Sequence, residues 1–329
     1  MRRWFVAVGL ALAAGVCTQA LAQTPSQTTS SQSWPSKPIR IIVPLTAGSA
    51  SDVMGRIVAD QLSAQLGQPI VVENRPGAGN TIGMSAVAKA EPDGYTLLVN
   101  SSTHTVTPAT RSNLGFEMTD LAPIIPLGNM PVVMVFNPSK GYKTLGDFVA
   151  YAKANPGKIN YTSAGAGNSS HLNGERFRLA AGIEAVHLPF KGAPEATTEV
   201  IAGRADFYFS PLVNALSLIK EGSVQALAVS GSSRASALAD VPTTVEAGIP
   251  NSEYNFWVGM FAPAKTAADI RAKLYAEMAK ALETPAVREK LKTLGADPMP
   301  LTSAQFDALV KQEIETNTQL VKAAGIKVN

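Results

Sequence analysis

The feature that most constrains this chain is a repeated beat. A short, nearly uninterrupted apolar run is followed by a loop rich in Gly, Ser or Asn, and then by a helical pattern. It is clearest at residues 39–44 (IRIIVP). There the loop 45–52 leads to apolar positions Val53, Ile57, Leu62 and Leu66, and the pattern stops at Gly67. Strands are expected again at 70–73, 95–100, 131–136, 159–161, 185–188, 206–209 and 225–229. Helices are expected between them over 81–90, 145–154, 172–181, 195–202 and 212–220, and residues 115–126 read as irregular. Runs without polar alternation suit strands covered on both faces, and an intervening helix is the crossover that a parallel neighbour requires. The expected fold class is therefore α/β with parallel sheets.

A chain of 329 residues has room for two such units. Residues 137–141 (NPSKG) read as a crossing point out of the first unit. The aromatic run 254–261 (YNFWVGMF) reads as a strand carrying the chain back to it. The expected boundaries are 34–137 with 256–329 for the first domain and 138–255 for the second. The C-terminal part reads as helical. Thr266 with Asp269 opens one helix, Pro285 the next, and Thr302 with Gln305 forms a capping box for the last. The stripes Ile270, Leu274, Met278, Leu282 and Phe306, Leu309, Val310, Ile314 have helical period and read as core.

The loop over 161–172 (YTSAGAGNSSHL) carries the strongest functional signal. Gly165 and Gly167 let backbone N–H groups approach a ligand, and Ser163, Asn168, Ser169 and Ser170 add neutral donors. The helix that follows favours negative charge at its start. The same residues also fit a plain strand-to-helix turn with a Ser/Asn cap. The loop 45–52 has the same two readings: Ser49 with Asp52 resembles a capping box, and Gly48 with Ser49 opens a helix that could face an anion. Ser102, Thr103 and His104 follow a strand end, where ligands gather in open α/β sheets.

Composition removes several alternatives. Arg2 and Arg3, the apolar stretch 5–20 and the Ala20-Leu21-Ala22 site read as a cleaved export signal over 1–22, followed by a disordered leader over 23–33. Cys17, the one cysteine, falls in the signal, so the mature chain has neither disulfide nor thiolate chemistry. Without Arg2 and Arg3 the balance is 26 basic against 25 acidic residues, which argues against nucleic-acid binding. No metal-ligand spacing, phosphate-loop or nucleophile-elbow pattern occurs, and no two carboxylates are spaced for acid–base work. His187 reads as a core histidine, and His171 falls in the first turn of a helix. Binding is better supported than catalysis. A periplasmic hydrolase using Ser169 or Ser170 with a histidine is the lesser reading.

Seven stretches together resemble the Bug receptors, the extracytoplasmic solute-binding proteins of tripartite tricarboxylate transporters. They are 34–44 (WPSKPIRIIVP), 73–79 (ENRPGAG), 91–95 (EPDGY), 152–157 (AKANPG), 163–172 (SAGAGNSSHL), 187–192 (HLPFKG) and 260–263 (MFAP). The resemblance implies a two-domain periplasmic-binding-protein fold of the type II, Venus flytrap kind, with the ligand in the cleft between domains and no cofactor. It implies that Ala47 to Asp52 and Ser163 to Ser170 pinch one carboxylate of a small ligand, a di- or tricarboxylate, acidic amino acid or aromatic acid. Ser102, Thr103 and His104, with the stretch Asp206 to Ser210, would hold the rest. It further implies a monomer in the periplasm that serves membrane transport subunits, or alternatively a sensor kinase. In the first loop Ser49 stands where the family usually has a second glycine. Ala166 and Asn168 depart from the usual spelling of the second.

Overall fold

The computed structural model of the chain describes residues 34–326, so the expected signal and leader lie outside the described residues. The chain opens with β1 (Ile39–Val43), α1 (Ala50–Leu66), β2 (Ile70–Asn74), α2 (Thr81–Ala88), β3 (Thr96–Ser101), α3 (Thr103–Thr110) and β4 (Leu121–Asn129). It continues through β5 (Val132–Phe136), α4 (Leu145–Ala154), β6 (Ile159–Ser163), α5 (Ser169–Ala181), β7 (Ala185–Pro189), α6 (Ala193–Ile201), β8 (Phe207–Pro211), α7 (Leu212–Lys220) and β9 (Gln225–Val229). It ends with β10 (Trp257–Pro263), α8 (Ala268–Glu283), α9 (Pro285–Thr293) and α10 (Ser303–Ala323).

Two five-stranded sheets result, in the orders β2-β1-β3-β10-β4 and β7-β6-β8-β5-β9. Within each, the strands of the repeated beat are parallel: β1 with β2 and β3, and β6 with β7 and β8. The sheets are mixed rather than all parallel. β10 runs antiparallel to β3 and β4, and β5 antiparallel to β8 and β9. Each of these strands enters its sheet from the opposite lobe, so no helical crossover sets its direction. β5 also moves the crossing point. The chain leaves the first sheet at Met130 and Pro131, before β5 rather than after it at Asn137. It returns between Ser230 and Trp257. The two passages lie side by side: Met130 N–H donates to Phe256 O, and Ser230 N–H to Val132 O.

β4 occupies the stretch expected to be irregular. Pro123, Pro126 and Gly128 hide it in the sequence, and its place at a sheet edge is what tolerates prolines. Its pairing with β10 shifts register twice, between Val258 and Gly259 and between Met260 and Phe261. Helix ends follow local chemistry. Ser49 Oγ accepts from Asp52 N–H at the start of α1, and Asn168 Oδ1 from His171 N–H at the start of α5. Gly67 and Gly182 close the same helices in the left-handed conformation. The Thr302–Gln305 capping box forms as expected. Asp269 finds no cap in Thr266, because Ala267 is the N-cap of α8. The predicted C-terminal stripes are core at Leu274, Met278, Phe306 and Val310.

Candidate functional site

The carboxyl ends of the parallel strands of both sheets meet at one small cavity of about 40 Å³, room for a few waters. A helix cap or first-turn residue from five helices lines it: Ser49 of α1, Thr103 of α3, Asn168 and Ser169 of α5, Gly192 of α6 and Pro211 of α7. The walls between them are apolar, with Val132, Phe209 and Phe256 among them. Among the described residues, no Asp, Glu, Lys, Arg or His lines the cavity. Its electrostatics are therefore those of helix N-termini, each worth up to about 2 kcal/mol toward an anion where partly buried.

Buried polar atoms without partners gather at the same place. The hydroxyls of Thr46, Ser51, Tyr208 and Tyr254 and the Oδ1 atoms of Asn173 and Asn214 have none, and all six residues line the cavity. The Tyr208 hydroxyl faces Ser170 without a well-formed hydrogen bond, and burial raises the pKa of both tyrosines. Orphaned groups are rare in folded interiors, and a cluster of them around one cavity has hydrogen bonds to offer to a ligand.

The lobes touch directly around this cavity. Thr103 Oγ1 donates to Ser169 Oγ at 2.9 Å and accepts from Ser169 N–H at 3.2 Å. Thr110 Oγ1 donates to Gly167 O at 3.2 Å, and Asn214 Nδ2 to Gly48 O at 2.7 Å. Gly167, at φ 72°, has no room for a side chain, since a Cβ would lie 2.8 Å from Thr110 Oγ1. Its N–H is held by His171 Nδ1 at 3.1 Å. This glycine serves close approach of the two lobes.

Of the expected ligand residues, Ser49, Thr103, Asn168, Ser169 and Ser170 line the cavity. The others stand behind it or elsewhere. Ala47 and Gly48 form the tip of the first loop, where Gly48 meets Asn214. Asp52 is turned away from the cavity and builds the loop: its Oδ2 accepts from Gly48 N–H at 2.9 Å and its Oδ1 from Arg56 Nε at 3.0 Å. Burial pushes this carboxyl up, but the hydrogen bonds from Arg56, Gly48 and Asn74 outweigh burial and hold it below the usual carboxylate range. Ser102 is buried beside Tyr254 as the cap of α3. His104 is buried and stacked on Phe261 at 4.0 Å, on the far side of the helix, beside Leu121 and Val310. Burial lowers its pKa to about 3, so it is a neutral core histidine.

Ser163 and Gly165 form the base of the second loop. Ser163 Oγ lies 2.6 Å from His187 Nε2 and accepts from Gly165 N–H. Asp206 is at the wrong end of its strand. It precedes β8, away from the carboxyl end, where it accepts from Lys140 Nζ at 2.7 Å and from Asn160 N–H at 2.8 Å. Ser210 is fully buried and donates to Pro211 O. Behind the second loop, His171 and His187 stack at 3.8 Å with planes 9° apart, and His187 stacks on Tyr161. Burial lowers His171 to about 4; burial and the neighbouring imidazole lower His187 to about 3. Two neutral rings thus hold the loop by single hydrogen bonds. Ser169 bonds to Thr103 and Ser170 to Asn168, so neither presents the serine–histidine pair that a hydrolase needs.

Ser51 and Tyr208, inside the expected stretches 47–52 and 206–210, also line the cavity, while Thr46, Asn173, Gly192, Asn214 and Tyr254 were not expected there. A signal existed for two of them. Asn173 is one turn beyond Ser169 and so shares its helix face. Asn214 is a polar residue in the first turn of an otherwise apolar helix. The remainder become neighbours only through folding.

Comparison with known proteins places the chain in a family and a fold. The family model described as "Tripartite tricarboxylate transporter family receptor" matches residues 54–326. The protein BugT of Bordetella pertussis is 34% identical over 334 residues, which cover 100% of this chain and 99% of BugT. Among solved structures, an adipate-bound protein of R. palustris has TM-score 0.85 and 29% identity, covering 89% of this chain and 99% of that one. Malate-bound MatC of Rhodopseudomonas palustris has TM-score 0.82 and 32% identity, covering 87% and 99%.

Proposed function

This chain belongs to the tripartite tricarboxylate transporter receptor family, and from that premise we propose that it is the receptor that captures a small carboxylate in the periplasm and delivers it to the membrane subunits of such a transporter. The observation that carries this reading is the convergence of five helix N-termini on a closed inter-lobe cavity without a charged side chain. An anion there is held by aligned backbone dipoles and neutral hydroxyls, which the low local dielectric strengthens. Relatives of the same fold hold adipate and malate, both carboxylates. The ligand-contacting set is Ser49, Ser51, Thr103, Asn168, Ser169 and Ser170 for the carboxylate, with Asn173, Tyr208, Asn214 and Tyr254 around the remainder. The lobes meet through the two strand passages at 130–131 and 230–256, which act as the hinge.

Thermal-shift screening of refolded, ligand-free protein tests this. A carboxylate at 100 times its dissociation constant adds about 2.7 kcal/mol of stability. A broad panel of di- and tricarboxylates, acidic amino acids and aromatic acids that produces no shift would remove the assignment. Co-purification with the membrane subunits in the presence of ligand tests the transport role.

A further inference from the structure

We infer that Asn214 selects for ligands in which the carboxylate skeleton carries a neutral hydroxyl, over the unsubstituted and the amino analogues of the same skeleton; the inference rests on the carboxylate-receptor reading and narrows it. The amide of Asn214 cannot turn over. Its Nδ2 donates across the cleft to Gly48 O at 2.7 Å, and a carbonyl accepts only from the NH2 end. The peptide that carries Gly48 O is itself held, because its N–H, that of Ser49, donates to Thr46 O at 3.2 Å. Asn214 Oδ1 is thereby committed as an acceptor. It is buried, it has no donor, and its residue lines the ligand cavity.

Asn173 repeats the arrangement. Its Nδ2 donates to Ser230 Oγ at 2.9 Å, while that hydroxyl spends its own proton on Tyr254 O. Asn173 Oδ1 is therefore also a buried acceptor without a donor, in a residue with no exposed surface. Two oriented acceptors in a cavity otherwise supplied with donors ask for a donor on the ligand. Leaving a buried acceptor unpaired is costly, so a ligand lacking that donor is rejected strongly. An ammonium could donate as well, but it would bring a positive charge to a cavity ringed by helix N-termini with no carboxylate to pair with. A hydroxyl satisfies the acceptors without that charge.

The test is a set of matched triplets measured by titration calorimetry on refolded protein: malate, succinate and aspartate, and lactate, propionate and alanine. The expected result is that in the triplet that binds, the hydroxy acid binds at least tenfold tighter than both analogues. In Asn214→Leu the ratio of hydroxy to unsubstituted acid is expected to fall toward one. Taking the ratio within one variant cancels any loss of cleft closure. A wild-type ratio near one, or a preference for the unsubstituted or amino acid, would overturn the inference while leaving the carboxylate reading in place. A hydroxyl preference that persists in Asn214→Leu would overturn the assignment to Asn214. Should that variant bind nothing, the wild-type ratio decides. If no member binds and the broad carboxylate panel is also silent, it is the carboxylate reading that fails.

Discussion

Replacing Gly192 with alanine isolates the closure of the cleft from the stability of either lobe. Gly192 caps α6 at φ −172° and ψ 171°, an extended conformation that alanine adopts freely. Across the cleft stands Thr46 of the first loop. A Cβ on Gly192 would overlap Thr46 Oγ1 and lie 3.4 Å from the threonine Cβ and Cγ2. Because Thr46 Oγ1 has no hydrogen-bond partner, the hydroxyl can turn aside, and the cost is that of an off-well rotamer plus modest overpacking, about 1–2 kcal/mol. That penalty falls on the closed form alone, so ligand affinity should drop roughly 5- to 30-fold. Loss of a glycine cap adds a smaller cost, up to about 1 kcal/mol, which appears in ligand-free protein as well. Calorimetric titration of wild type, Gly192→Ala, Thr46→Ala and the double variant separates the two. The cycle should show a coupling of about 1–2 kcal/mol, with Thr46→Ala relieving the alanine. A coupling of zero, or an affinity loss fully matched by loss of ligand-free stability, would refute the reasoning.

The remaining predictions concern the support of the two loops. Thr103→Val leaves Ser169 N–H and Oγ without their cross-lobe partner and should weaken ligand binding by about 1–3 kcal/mol in calorimetry, with ligand-free melting changed less. Asp52→Ala releases the Gly48 N–H but leaves the Ser49 N–H bond to Thr46 O that holds the Gly48 carbonyl, so every ligand should weaken by a similar factor, about 3- to 10-fold, and the ranking of ligands should stay the same. The pH dependence follows from three depressed histidines and one raised carboxyl. His104, His171 and His187 titrate near 3 to 4 when folded and near 6.5 when unfolded, so their contribution is complete above 6.5 and is lost as pH falls toward 4. Glu313, held by Trp257 Nε1 and Thr105 Oγ1, is raised by burial to about 7, so its contribution is complete below 4.5 and is lost as pH rises through 7. Between pH 6.5 and 5 the histidines outnumber it, and melting measurements should show stability falling with acidification by on the order of 2 kcal/mol per pH unit. Glu313→Gln should remove the opposing loss between pH 5 and 8.

The repeated beat of apolar run, small-residue loop and helix determined the strands and helices of both lobes, because strand burial and helix capping are written in contiguous residues. It likewise marked Ser49, Asn168, Ser169 and Ser170, each the cap or first turn of a helix whose start is a local property. Sequence did not reveal that β5 and β10 run antiparallel, or that β4 exists. Their direction and tolerance of proline depend on which sheet receives them and at which edge. Nor could it separate Asp52 and His104 from the residues that line the cavity. A carboxylate three residues past a cap serves the loop or the ligand according to which way it turns, and a histidine after a strand end faces cleft or core according to what packs beneath it. Thr46, Gly192 and Asn214 lie far apart in the chain and carry no shared local pattern. Closing one lobe on the other brings Thr46 against Gly192 and Gly48 O against Asn214. That long-range contact is what fixes the Asn214 amide and gives the cavity its chemistry.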